Sequence, residues 1–156
     1  WHPSLPVVGR GPIQPALIRK KNGNIMAFMR DSGDDPPRVH ISESADLGET
    51  WTPTIKSEIP NTASVELLVL KDGRLAFLGN DIADGRYRFQ LYLSEDEGKI
   101  WKWKIPIENV EPGKGGFSYP SFIQTQDGML RMTYSSHVGT DQKSIKYVVV
   151  DPSKIK

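Results

Sequence analysis

Ser44-Ala45-Asp46-Leu47-Gly48-Glu49-Thr50-Trp51 returns fifty residues later as Ser94-Glu95-Asp96-Glu97-Gly98-Lys99-Ile100-Trp101. A polar turn of the form Ser-x-Asp-x-Gly-x-x-Trp has a physical job. The carboxylate of Asp46 or Asp96 accepts backbone N–H groups inside the turn, Gly48 or Gly98 takes positive φ, and Trp51 or Trp101 folds back onto the strands that the turn joins. Ser44 and Ser94 open the two copies.

Outward from the first copy, the chain alternates short apolar runs with Gly, Asn, Asp and Pro. Residues 1–12 form an irregular lead-in. Strands are expected at 13–18, 25–30, 38–42 and 51–55, with Asn22-Gly23 turning the first pair. The same order recurs at 64–70, 74–78, 86–93 and 101–107, and again at 119–125, 129–134 and 144–150. The turn glycines Gly23, Gly73 and Gly128 keep the register, while Asp31–Asp35 and Asp84-Gly85 read as plain turns. At Asp151-Pro152-Ser153-Lys154, where a third copy of the box belongs, there is neither Gly nor Trp.

Antiparallel four-strand units repeating every 40–50 residues or so mark an all-β fold of the β-propeller kind. The expected organisation is one partial propeller domain over 1–156, with repeats at about 1–59, 60–110 and 111–156. Propellers close with roughly four to eight blades, so three blades leave two open sheet edges and one wall of the central channel exposed. A homo-oligomer that completes the ring is one expectation, and a longer gene product is the other. The start at Trp1, with no Met and no apolar leader after it, reads as a processed product or a piece of a longer one.

Twenty basic and 19 acidic residues leave no field that would draw nucleic acid. No apolar run is long enough for a membrane span. The absence of cysteine excludes disulfides and thiolate chemistry and leaves the compartment open, with secreted and periplasmic settings among those allowed. His2, His40 and His137 lack metal-ligand spacing, and the Asp96-Glu97-Gly98 run lacks the closing Glu of a calcium loop. No metal or cofactor is expected.

The two boxes resemble the Asp-box, or BNR, repeat of sialidases and their relatives. Residues 13–18, 66–75 and 119–134 are similar to consecutive blades of the neuraminidase-like branch of that family. The resemblance covers essentially the whole chain and implies about half of a six-bladed propeller, its C-terminal part. It also implies a glycoside hydrolase acting on acidic sugars, with a Tyr nucleophile, a Glu that assists it, an Asp acid/base and three arginines on the substrate carboxylate. A guanidinium fork matches a carboxylate bidentately. A neutral phenol attacks a centre beside that anion with less repulsion than a carboxylate would meet, which makes sialidases the exception to the two-carboxylate rule.

Carried onto this chain, the resemblance gives Tyr119 as nucleophile, in Phe117-Ser118-Tyr119-Pro120-Ser121, and Glu66 as its base. Tyr119 packing on a neighbouring blade and Glu66 hydrogen-bonded within its own are the structural alternatives. Arg30, Asn80, Gln14 and His137 are the substrate-binding candidates, His137 at the channel mouth. Asn80 stands where an arginine of the triad belongs, Ser135 or Ser136 where an acidic residue does, and Lys114 near another arginine position. Arg10, Arg38, Arg86 and Arg88 read as solvated strand ends. Two further functions stay open: a non-catalytic glycan-binding or assembly module, favoured by the incomplete arginine set, and a polysaccharide lyase using Tyr119 and His137 as bases.

Overall fold

The computed structural model describes residues 2–139 and 142–156; Trp1, Thr140 and Asp141 lie outside the described residues. Eleven strands form three antiparallel sheets. Blade 1 is β1 (Pro12–Arg19), β2 (Ile25–Asp31), β3 (Arg38–Ser44) and β4 (Ile55–Pro60), paired in that order. Blade 2 repeats it with β5 (Glu66–Val69), β6 (Leu75–Gly79), β7 (Arg88–Ser94) and β8 (Trp103–Asn109). Blade 3 has β9 (Gly115–Gln124), β10 (Leu130–Val138) and β11 (Gln142–Val150), followed by a 3-10 turn, Pro152–Lys154. Among the described residues no helix is long and apolar enough to cross a membrane.

Strand alternation explains how the blades stack. On blade 2, Leu67, Leu75, Phe77 and Tyr92 face blade 1 and pack with Ala16, Ile18 and Phe28. Ala76, Leu78, Phe89, Leu91 and Leu93 point the other way, onto Phe117, Phe122, Leu130, Met132 and Tyr134 of blade 3. With both faces covered, β6 is buried at every residue, as a continuously apolar strand should be. Blade 3 has such a neighbour on one side only: Ile123, Ile145 and Tyr147, on its far face, are each more than half exposed.

Both boxes fold as the sequence implies. Ser44 Oγ donates to Asp46 Oδ1 at 2.7 Å and accepts Gly48 N–H at 2.8 Å, while Asp46 Oδ1 accepts Thr50 N–H at 2.9 Å. Ser94, Asp96, Gly98 and Ile100 repeat these bonds at 2.7, 2.9 and 2.8 Å. Gly48 and Gly98 have φ of 96° and 88°. The strands that follow start later than expected, at Ile55 and Trp103 rather than at the box tryptophans. The reason is local: Thr52 N–H closes onto Glu43 O at 2.9 Å, Pro53 has no N–H to give, and the ladder resumes at Ile55 opposite Ile41. Trp101 and Trp103 consequently do not share a strand face. Trp101 packs in the cluster between blades 1 and 2, and Trp103 in the cluster between blades 2 and 3.

Candidate functional site

Within each blade the first and third strands run the same way. The starts of β1, β5 and β9 and the ends of β2, β6 and β10 therefore lie at one end of the stack, and the glycine turns and boxes at the other. Lys21 N–H, in the first turn of blade 1, donates to Glu97 Oε1 in the box of blade 2 at 2.7 Å, which fixes that second end. The first strands converge, β1 touching β5 and β5 touching β9. Their starts form the axial end, and the boxes are remote from it.

At the axial end the backbone is irregular by design. Gln14 is an extra residue between Ile13, opposite Arg30, and Pro15, opposite Met29; its φ is 52°. Tyr119 occupies the same kind of bulge in β9, with a φ of 53° and Pro120 after it. A left-handed non-glycine residue persists only where its surroundings hold it. For Tyr119 part of that hold comes from Ser64 of blade 2, whose Oγ accepts the Tyr119 N–H at 2.9 Å. The bulge turns the phenol out of the ladder, and Tyr119 is 57% exposed.

Tyr119 opens onto a cleft of about 520 Å³ that also takes in Arg86, Ser118, Ser135, His137 and Lys143. No carboxylate occurs among the described residues that line it. Two sequence candidates, Tyr119 and His137, thus share one cleft, and Arg86, read from sequence as a solvated strand end, joins them. Arg86 is held from below: its carbonyl accepts Phe117 N–H at 2.8 Å and Asn80 Nδ2 at 3.2 Å.

Asn80 itself is fully buried, and its amide also donates to Arg88 O at 2.7 Å. Its place is inside blade 2, tying down the loop that carries Arg86. Glu66 opens β5, beside β9, and faces blade 3 as Leu78 opposite it does. Burial pushes its carboxyl above the usual range against the opposing bond from Leu67 N–H. Arg30 and Gln14 meet each other on blade 1, Nη1 donating to Oε1 at 3.3 Å, and Arg30 Nε is buried without a partner. Ser135, opposite Ser118, stands on blade 3 where Arg30, opposite Ile13, stands on blade 1.

Asp31, read as part of a turn, ends β2 and is buried. Its carboxylate accepts Gly33 N–H at 2.7 Å and Arg38 N–H at 3.0 Å, and it lies 2.9 Å from Lys56 Nζ and 3.2 Å from His40 Nε2. Fifty residues on, Asp81 accepts Arg88 Nε and Tyr92 Oη, both at 2.6 Å. The recurrence at the repeat spacing was the available signal for both. Among the described residues, no group of three or more His, Cys, Asp or Glu stands in position to hold a metal ion.

Solved structures share this architecture. The α-L-arabinanase of Penicillium chrysogenum, complexed with arabinobiose, superposes with a TM-score of 0.67 at 19% identity, covering 93% of this chain and 50% of its own. The intramolecular trans-sialidase of Ruminococcus gnavus, in complex with oseltamivir carboxylate, gives 0.72 at 17% identity, over 91% of this chain and 33% of its own. The α-L-arabinofuranosidase of Fusarium graminearum gives 0.58 at 16% identity, over 90% and 48%. The chain thus spans half the length of these enzymes or less. No curated protein matches the sequence. The model of the BNR repeat-like domain matches residues 1–132, and the chain belongs to that family of β-propellers.

Proposed function

We propose that the chain supplies the Tyr119–Glu66 side of a sialidase-like glycoside hydrolase site that takes an acidic sugar. The observation that carries this reading is the cleft, in which the exposed Tyr119 phenol meets Arg86, Lys143 and His137 with no carboxylate among the described lining residues. Such a lining favours an anionic ligand over a neutral one.

In this reading the substrate anion lies against the Arg86 guanidinium and the Lys143 ammonium, and Tyr119 Oη forms a bond to the anomeric carbon. The phenol proton passes by way of water to Glu66, which opens β5 beside β9 outside the cleft's lining and whose raised carboxyl suits it to a base. The glycosidic C–O bond breaks, and its oxygen takes a proton from a carboxylic acid provided by the remainder of the ring. Water then releases the sugar from Tyr119. Arg30 and Gln14 hold sugar hydroxyls across the axial end. The uncovered far face of blade 3 is closed by further blades, from a second copy or a longer chain.

The test is hydrolysis of a fluorogenic sialoside. Tyr119→Phe is expected to lower kcat by about 10²-fold or more, and rates equal to wild type would remove Tyr119 from the chemistry. One observation favours a second reading, a non-catalytic glycan-binding module: where blade 1 has Arg30, blade 3 has only Ser135. Binding of sialyllactose without turnover, unchanged by Tyr119→Phe, would decide for it.

A further inference from the structure

A second cavity, of about 480 Å³, runs between blades 1 and 2 on the outer side of the stack. Glu58 and Pro60 of β4 form one wall, Asp81, Arg88 and Gln90 the other, and Tyr92 and Trp101 lie in the floor. Most of its polar groups are already set. Asp81 fixes Arg88 and the Tyr92 hydroxyl, and Lys104 Nζ stands 4.9 Å from the centre of the Tyr92 ring.

Two groups are not set. Gln90 is 8% exposed, and its side-chain amide, which is not among the buried polar atoms left without a partner, opens into the groove. The Glu58 carboxylate is fully exposed at the rim, with only a long ion pair to Arg38 Nη1 at 3.9 Å. At the corresponding place between blades 2 and 3 the same positions are satisfied internally. Glu108 accepts the Tyr134 hydroxyl at 2.5 Å and pairs with Lys146, which occupies the ladder position that Gln90 holds in blade 2.

From this we infer that the groove between blades 1 and 2 is a second saccharide-binding site, separate from the Tyr119 cleft, for a neutral sugar. The Gln90 amide, with a donor and an acceptor in one plane, and the Glu58 carboxylate match neighbouring hydroxyls. Trp101, partly exposed in the floor, takes the C–H face of a ring, while Tyr92 beneath Lys104 only backs it. The groove's lining carries two cations, Arg88 and Lys104, and two carboxylates, Asp81 and Glu58, so it lacks the cationic excess of the other cleft. The inference does not depend on hydrolysis occurring at Tyr119.

The test follows amide and indole NMR signals while the whole chain is titrated with lactose, arabinobiose and 3′-sialyllactose. A neutral disaccharide is expected to move the signals of Gln90, Lys104 and Trp101. Gln90→Ala should weaken that binding about tenfold, the exposed Glu58→Ala should weaken it while keeping the fold, and Tyr119→Phe should leave it unchanged. Shifts confined to the Tyr119 cleft, no shift of the groove signals with any of the three sugars, or full affinity in both groove variants would overturn the proposal.

Discussion

The two blade interfaces use one repeat differently. Between blades 1 and 2 the tight end is the box end, where Trp101 sits 6.2 Å from Phe28, 5.8 Å from Phe77 and 5.9 Å from Tyr92, measured between ring centres. Between blades 2 and 3 no box tryptophan is available. There Arg74 closes the box end, its Nη1 and Nη2 donating to Ile155 O at 3.0 Å and Pro152 O at 2.7 Å. At the opposite end the contrast is between Glu58, fully exposed and only loosely paired with Arg38 at 3.9 Å, and Glu108, bonded to Tyr134 and Lys146. A repeat position thus has no intrinsic role. Whether it serves the fold or is left for a ligand depends on what the next blade places opposite it.

The largest expected effect tests the aromatic end. Trp101→Ala removes the group that joins Phe28 of one blade to Phe77 and Tyr92 of the next, and should cost about 3–5 kcal/mol in urea unfolding. Trp51 performs the same turn, donating Nε1–H to Gly48 O at 3.1 Å, but lies outside both interface clusters. Trp51→Ala should therefore cost less, about 1–2 kcal/mol. Equal costs would mean that the tryptophan serves its own box and not the interface.

Next in size is an acid effect confined to blade 1. Burial works to raise the Asp31 carboxyl, but the N–H groups of Arg38 and Gly33, with Lys56 and His40, outweigh it and hold it at about 2. A carboxyl depressed by folding stabilises above the ordinary aspartate value, near 4, and that stabilisation is lost as pH falls through the folded value. Wild type should thus lose on the order of 2 kcal/mol between about pH 4 and pH 2 through this group. Asp31→Asn should be less stable at neutral pH and show a shallower slope across that window. An unchanged slope would mean that the carboxyl is not held by these partners.

What could be read from sequence was local. The box lies within eight residues, and its serine, aspartate, glycine and tryptophan each have a partner inside that span, so fold and repeat followed from it. The end of the blades that carries Tyr119 followed too, because strand direction alternates. Arg86 did not: its entry into the cleft depends on Asn80 and on Phe117, thirty-one residues away. Asp31 was hidden by its company, since an acidic residue among Gly and Pro normally marks a solvated turn. Only its match with Asp81 at the repeat spacing separates it from one.

The smallest effect is the most direct test of the contrast between Glu58 and Glu108. Glu108→Ala leaves the Tyr134 hydroxyl without its acceptor in a side chain only 1% exposed, and leaves the half-exposed Lys146 unpaired. The buried hydroxyl sets the cost at about 1–2 kcal/mol, the exposed ammonium adding little. Glu58→Ala, at the same repeat position, removes a solvated carboxylate and should stay within about 0.5 kcal/mol of wild type. If both substitutions cost the same, the first groove is closed in solution by the same device as the second, and the Gln90 amide is not waiting for a ligand. If only Glu108→Ala destabilises, the groove between blades 1 and 2 is open because Gly79 stands where Tyr134 does, and nothing from blade 2 reaches across to Glu58.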